Sequence, residues 1–443
     1  MNSPQDNALS KDAAIEVETD AAVPLVSQPV SWWSSLGWQR RVLLVLVAVF
    51  FIALGYSTVY RTAWNDIERT DFTVYSAAGQ AVLDGADIYQ AHNARGWFYV
   101  YPPTFAVFMP LFAKLPLAWG SGLWYVLSLL AVVAATAMSL KWVRATYPGL
   151  AGQDQDWTLC ELPLFLASPW LVSGMLRCQA SEFMVWLMIA AVYYGWRGRS
   201  VAGGMSLAAA ALIKAFPIAL LAYFVWRRQW RFVGACFLGL VLGGLILPAA
   251  VFGWQQNLDY WQQWGRLVAG PALTVNQIDP GRLYDQLLDA KKLRNQSLES
   301  MLLSFEVSPA KTKPLLLGIA FSMLAAMAWV ARKAKADAKA QLLVVSAFLC
   351  WDLLIPPISE THYFGLMLLP LAALTAIALA EADRFSRRWA VAVLVLFFIA
   401  TLWSNLDKDM QMYRLLCWAT LAVWACLLGL ASRRSRAAAC PAG

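Results

Sequence analysis

Long apolar runs, separated by short and mostly basic interruptions, recur from Val42 almost to the end of the chain. The first, Val42 to Tyr60, is long enough to cross about 30 Å of hydrocarbon as a helix. Further runs follow at Trp119–Leu140, Thr158–Ser173, Ser181–Trp196, Val201–Ile213, Ala215–Trp226, Phe232–Phe252, Pro314–Ala331, Gln341–Pro356, Tyr363–Ala380, Trp389–Leu402 and Leu415–Leu430. None has the strict alternation of a strand, so the pattern predicts an all-α polytopic membrane bundle with about 12 transmembrane helices. Between the runs lie Gln39-Arg40-Arg41, Lys141/Arg144, Arg197/Arg199, Arg227/Arg228/Arg231, Arg332/Lys333/Lys335, Arg384/Arg387/Arg388 and Arg433/Arg434/Arg436. Placing every cluster on the cytoplasmic side orients all the runs and leaves both termini inside. Pro102–Pro116 then lies outside as a re-entrant or interfacial segment, unless it makes an extra crossing.

This patterning divides the chain into a disordered cytoplasmic tail (1–41), a transmembrane domain (42–431) and a second cytoplasmic tail (432–443). Within the domain, 62–118 forms a first outer loop with interfacial helices and 253–313 a large outer loop. Both loops are accordingly expected on the extracytoplasmic side of a multi-pass membrane protein.

Composition sharpens the class. The chain is 60% hydrophobic and 14% charged, against about 25% charged in a soluble protein. Its net charge of +8 is carried by the loop clusters, so it reads as membrane orientation and not as a nucleic-acid surface. Seven cysteines lie mostly within or at the ends of apolar runs, without paired spacing, and read as small core residues. Most of the 23 tryptophans mark span ends, as an aromatic belt does.

The outer side receives the unusual polar residues. Among the first-loop carboxylates, Asp66 and Glu68 read as solvated charges, and Asp84-Gly85 as a turn. Asp71 differs, because Phe72, Val74 and Tyr75 follow it and Ser76–Leu83 reads as a short amphipathic helix on the membrane. Its plain role is the N-cap of that helix; its functional role is a general base at headgroup level. Lys214 interrupts an apolar stretch just before Pro217: it either snorkels to the interface or, at a helix break, meets a phosphate. His362 is one of two histidines and opens an inward span. Gln179 and Ser181 occupy a tight outer turn. Asn295-Gln296-Ser297 fits both the glycosylation pattern and a ligand-facing loop entrance.

Asp71-Phe72-x-Val74-Tyr75, Ala77-Ala78, Leu83-x-Gly85, Tyr89, Tyr101-Pro102-Pro103 and Pro110-Leu111 together resemble the first loop of glycosyltransferase family 87, membrane enzymes of the GT-C superfamily. The resemblance continues through Ser168-Pro169, Gln179, Ala211–Pro217, Arg227-Arg228-x-Trp230-Arg231, Asn295–Leu298, and His362 with Leu369-Pro370. Two departures stand out. Cys178-Gln179-Ala180-Ser181 lacks the family's asparagine, and Pro217 follows the lysine by two residues more than is usual.

The resemblance implies a GT-C-type helical bundle that transfers a hexosyl unit, mannosyl first, from a polyprenyl-phosphate sugar to an acceptor hydroxyl of a glycolipid or polysaccharide, with the active site on the outer face of the plasma membrane. It implies Asp71 as the base, and donor binding by Lys214, His362, Gln179, Asn295, Gln296 and Tyr101. This chemistry calls for no metal ion or other cofactor. Two other classes fit the hydropathy alone. A secondary transporter should show two similar halves and midplane sites, and a non-catalytic envelope scaffold would use its outer loops only to bind partners.

Overall fold

The apolar runs fold as helices almost throughout. The computed structural model describes residues 37–65, 69–150, 155–270, 292–333 and 337–437. Most of the expected N-terminal tail, the end of the C-terminal one, Asp66, Glu68 and part of the large outer loop (271–291) lie outside the described residues. Among those described, β structure is limited to two isolated bridges, His92–Phe98 and Asn295–Glu360. The chain divides into two units, Met1–Ile52 and Ala53–Gly443. The described part of the first is the beginning of a helix whose Val42, Leu46 and Ile52 side chains are exposed, as lipid-facing residues are.

Eight helices of the described chain are long and apolar enough to cross a membrane: Trp38–Trp64, Leu117–Thr146, Asp156–Met175, Trp230–Phe252, Ala310–Lys333, Thr361–Ala380, Arg384–Leu406 and Leu415–Arg434. The remaining expected runs form shorter helices, Ser181–Trp196, Ser200–Ile213, Phe216–Trp226 and Ala338–Leu354. Ala338–Leu354 and Thr361–Ala380 are apolar nearly all round because they are buried on all sides at the centre of the bundle.

Ion pairs gather one end of this bundle. Arg144 grips Asp156 at 2.6 and 2.9 Å, Arg434 pairs with Asp337 and Glu381, and the Lys339 ammonium lies 4.6 Å from the Tyr147 ring. Helices that start or finish here, such as Gln155–Met175 and Ala338–Leu354, carry their opposite ends to the first loop and to Ser359–His362.

Prolines break the first loop into pieces. Pro103 and Pro110 each stand at a helix start, where a missing N–H costs nothing, giving Pro103–Phe108 and Pro110–Ala113. Together these rise about 16 Å at 1.5 Å per residue, about half of what a hydrocarbon core requires. Against these two pieces packs Phe72–Asp84, the amphipathic helix of the first loop, which ends at Gly85 in the left-handed conformation (φ 66°).

Close approach is possible there because residue 79 is glycine. A Cβ at Gly79 would lie 2.6 Å from both the carbonyl carbon and oxygen of Met109, backbone atoms that cannot swing away. Gly79→Ala is expected to lower stability by about 1–3 kcal/mol through overpacking, seen as a lower thermal midpoint in detergent; an unchanged midpoint would contradict this packing.

Candidate functional site

A cavity of about 1180 Å³ opens at the end of the bundle opposite the Arg144 and Arg434 pairs. Asp71, Tyr101, Gln179, Lys214 and His362, distant in sequence, all line it. Asn295 and Gln296 do not.

Asp71 stands at the N-cap of Phe72–Asp84, and its backbone does the capping work. Its carbonyl accepts from the Val74 and Tyr75 N–H groups at 3.0 and 3.1 Å, while its own N–H donates to Arg177 O at 2.9 Å. The side chain makes no cap hydrogen bond, so the plain explanation for this carboxylate does not hold. It accepts instead from Gln179 Nε2. Gln179 is oriented in turn by Tyr101, whose hydroxyl donates to Gln179 Oε1 at 3.3 Å and lies 2.7 Å from the Tyr75 hydroxyl. The indole N–H of Trp124 donates to the Gln179 carbonyl at 3.3 Å. A relay Tyr75–Tyr101–Gln179–Asp71 thus fixes the carboxylate from one side.

Burial, and then the negative charge of Glu360, push the Asp71 carboxyl up from 3.8 to about 6; Lys214, Arg177 and the Gln179 hydrogen bond oppose the rise without cancelling it. A carboxyl poised near neutrality can accept a proton at working pH.

Lys214 follows the last residue of Ser200–Ile213, where the backbone becomes extended (φ −141°, ψ 131°) before a 3₁₀ helix that begins at Phe216. The break thus falls at the lysine itself, despite the displaced proline. Its ammonium donates to Ser181 Oγ at 3.1 Å and sits 4.0 Å from the Tyr363 ring centroid. Snorkelling would carry the charge out to solvent, whereas here it is held inside the cavity wall and faces the carboxylates of Glu360, Asp71 and Glu182. Glu182 fills the space left by Gly174, where even a Cβ would collide with its carboxylate.

His362 is 1% exposed and packs edge-on against Tyr363. Its Nδ1 lies 3.4 Å from Glu360 Oε2, and Glu360 lies 3.6 Å from Lys292 Nζ. Asn295 and Gln296 secure this loop from behind. Asn295 Oδ1 accepts from the Ser359 N–H at 2.9 Å, and its amide donates to Pro357 O at 2.8 Å. The Gln296 N–H donates to Ser359 O at 2.7 Å, and its amide donates to Leu293 O and Gln411 O. Both side chains are buried, and these bonds position Glu360 and His362 without reaching the cavity wall.

The cavity also contains residues that the sequence reading passed over: Tyr75, Arg61, Arg69, Arg177 and Arg294. Arg177 carried a usable signal, because an arginine in a turn that the basic clusters predict to lie outside departs from the positive-inside pattern. Among its charged residues, the lining sets Arg61, Arg69, Arg95, Arg177, Lys214, Lys292, Arg294 and Lys313 against Asp71, Glu299, Asp352 and Glu360. The site is therefore built for an anion, with one carboxylate ready to take a proton.

A multi-span helical protein with a cation-rich cavity at one end of its bundle is a membrane protein suited to holding an anion. The profile of glycosyltransferase family 87 matches residues 99–357, more than half of the chain. The chain belongs to glycosyltransferase family 87 and is a membrane glycosyltransferase. It is 25% identical over 399 residues to the polyprenol-phosphate-mannose-dependent alpha-(1-2)-phosphatidylinositol mannoside mannosyltransferase of Mycobacterium tuberculosis, covering 87% of this chain and 86% of that one. Among solved structures, ArnT from Cupriavidus metallidurans bound to undecaprenyl phosphate aligns with a TM-score of 0.40 and 14% identity, over 89% of this chain and 78% of that chain. The apo state of the same enzyme aligns with a TM-score of 0.41.

Proposed function

We propose that this enzyme moves a hexosyl unit, mannose foremost, from a polyprenyl-phosphate sugar to the hydroxyl of a glycolipid or polysaccharide acceptor, on the outer face of the plasma membrane. The observation that carries the reading is the Asp71 carboxylate, released from capping and facing a cavity that also holds Lys214 and His362. The donor class is supported by family membership and by the mannosyltransferase relative. The basic clusters support the outer face: the cavity lies at the far end of the helices from the Arg144 and Arg434 pairs. The same charge logic supports about 12 spans, with the shorter helices crossing inside the bundle, both tails in the cytoplasm, and 62–118 and 253–313 as outer loops.

In the reaction the acceptor oxygen forms a bond to the anomeric carbon while the bond from that carbon to the phosphate oxygen breaks. Asp71 removes the acceptor proton. The electron pair of the broken bond leaves with polyprenyl phosphate, whose added charge meets the Lys214 ammonium. His362 and the neighbouring Glu360 bound the donor side, and Gln179 and Tyr101 hold the base. Asn295 and Gln296 contribute by fixing the loop that carries His362.

The pH profile tests the base directly. Asp71 works deprotonated and its carboxyl titrates at about 6, so kcat/KM is expected to fall about tenfold per unit as pH drops below that value. Since the Glu360 charge is one cause of the rise, Glu360→Gln should move the inflection to lower pH. A flat profile between pH 5 and 8, or an inflection that ignores Glu360, would count against Asp71 as the base.

A further inference from the structure

The reaction leaves a group of cavity arginines without a task. Arg61 belongs to the π-helical turn Tyr60–Trp64 that ends the first spanning helix, and such turns frequently mark functional sites. Thr62 Oγ1 lies 3.0 Å from Thr70 Oγ1 and 3.9 Å from Cys178 Sγ, and the Asp71 N–H donates to Arg177 O at 2.9 Å. These buried contacts knot the end of the first spanning helix and the start of Phe72–Asp84 to the distant turn at 177–178, and Thr62, Thr70 and Cys178 each stand next in sequence to an arginine: 61 beside 62, 69 beside 70, 177 beside 178. Cys178 is held at φ 51°, an uncommon conformation for a residue with a Cβ.

The knot concentrates like charge. Arg61 lies within electrostatic range of Arg69, and Arg177 within range of Arg61 and Arg294. Among the described residues none of these four forms a salt bridge; Asp71 and Glu360, the carboxylates facing Arg177, act on it from beyond ion-pair distance. Arg61 Nε is buried with no hydrogen-bond partner. Holding guanidinium groups together unpaired is costly, and an anion that bridges them recovers the cost through charge-assisted, forked hydrogen bonds. Depth supplies the rest: Arg61 caps a spanning helix beside exposed Tyr60 and Trp64, which mark headgroup level. An anion met at that depth would be a lipid phosphate.

We propose that Arg61, Arg69, Arg177 and Arg294 form a second anion site in the cavity that also holds Lys214, one that takes the phosphate of an anionic glycolipid acceptor and sets its hydroxyl against Asp71. This rests on the transfer reaction above and names its acceptor class. The backbone bond from Asp71 to Arg177 joins the anion site rigidly to the base.

The test uses full-length protein in detergent and two probes that differ in charge, a mannosylated phosphatidylinositol and an uncharged mannosyl diacylglycerol. The wild type is expected to gain thermal stability with the phosphate-bearing lipid only, and Arg61→Gln/Arg177→Gln to lose that gain. Should that variant fold poorly, the exposed pair Arg69→Gln/Arg294→Gln serves instead. In transfer assays with polyprenyl-phosphate mannose, the acceptor KM should rise about tenfold or more, the scale of one lost charge-assisted contact, with the donor KM held within about twofold. Equal stabilisation by the uncharged lipid, full stabilisation of both arginine variants, or a raised donor KM in place of the acceptor KM would overturn the proposal. If the wild type releases no polyprenyl phosphate at all, the transfer reading fails, and the binding comparison still decides whether the arginines hold a lipid phosphate.

Discussion

Asp71→Asn is expected to abolish transfer while leaving donor affinity within about twofold of wild type. Removal of a positioned general base typically costs a factor of about 10² to 10⁴ in rate, and asparagine keeps the shape and an oxygen that Gln179 Nε2 can still donate to. The backbone capping bonds to Val74 and Tyr75 do not involve the side chain, so the helix should remain folded. A loss of activity with an unaltered thermal midpoint separates chemistry from structure. A variant that retained wild-type turnover would remove Asp71 from the reaction, and its backbone cap would be the only role left to it.

The second large effect is expected at Lys214. Methionine at this position keeps an apolar stem of similar length and removes the ammonium that sits over the Tyr363 ring. Because charge grows on the phosphate as the glycosidic bond breaks, the loss should be greater in the transition state than in the bound donor. A drop of about 10² to 10³ in kcat, with a smaller weakening of donor binding, is the expected split. Arginine should restore activity only in part, since the ammonium is seated on Ser181 Oγ and between the Tyr363 and Tyr101 rings, a fit for a compact charge. Unchanged donor affinity and kcat in Lys214→Met would return Lys214 to a structural role.

The sequence made the architecture legible wherever an apolar run was bounded by basic residues. Val42–Tyr60 and Trp119–Leu140 appear as the cores of the helices Trp38–Trp64 and Leu117–Thr146, because the cost of exposing backbone to lipid leaves few alternatives to a helix. Prolines 102, 103, 110 and 116 likewise announced the broken segment of the first loop.

At the site, Asp71, Lys214, His362, Gln179 and Tyr101 were each visible as a polar or aromatic exception at the end of an apolar run. Their convergence in one cavity depends on tertiary packing that no local pattern carries. Asn295 and Gln296 show the reverse failure: their polarity in a loop suggested ligand contact, yet the geometry spends it on the backbone of Pro357 and Ser359. The arginine group was hidden because its members are scattered over more than two hundred residues: the knot of Thr62, Thr70 and Cys178 joins three of them, and Arg294 reaches them only through the folded cavity.

Purified protein reconstituted in liposomes, offered a panel of polyprenyl-phosphate sugars with a glycolipid acceptor and assayed for released polyprenyl phosphate, tests the central claim most directly. Wild-type protein should release polyprenyl phosphate with the mannosyl donor in an acceptor-dependent manner, and Asp71→Asn should release none above background. Release by Asp71→Asn at the wild-type rate, or no release by the wild type from any sugar in the panel, would contradict it.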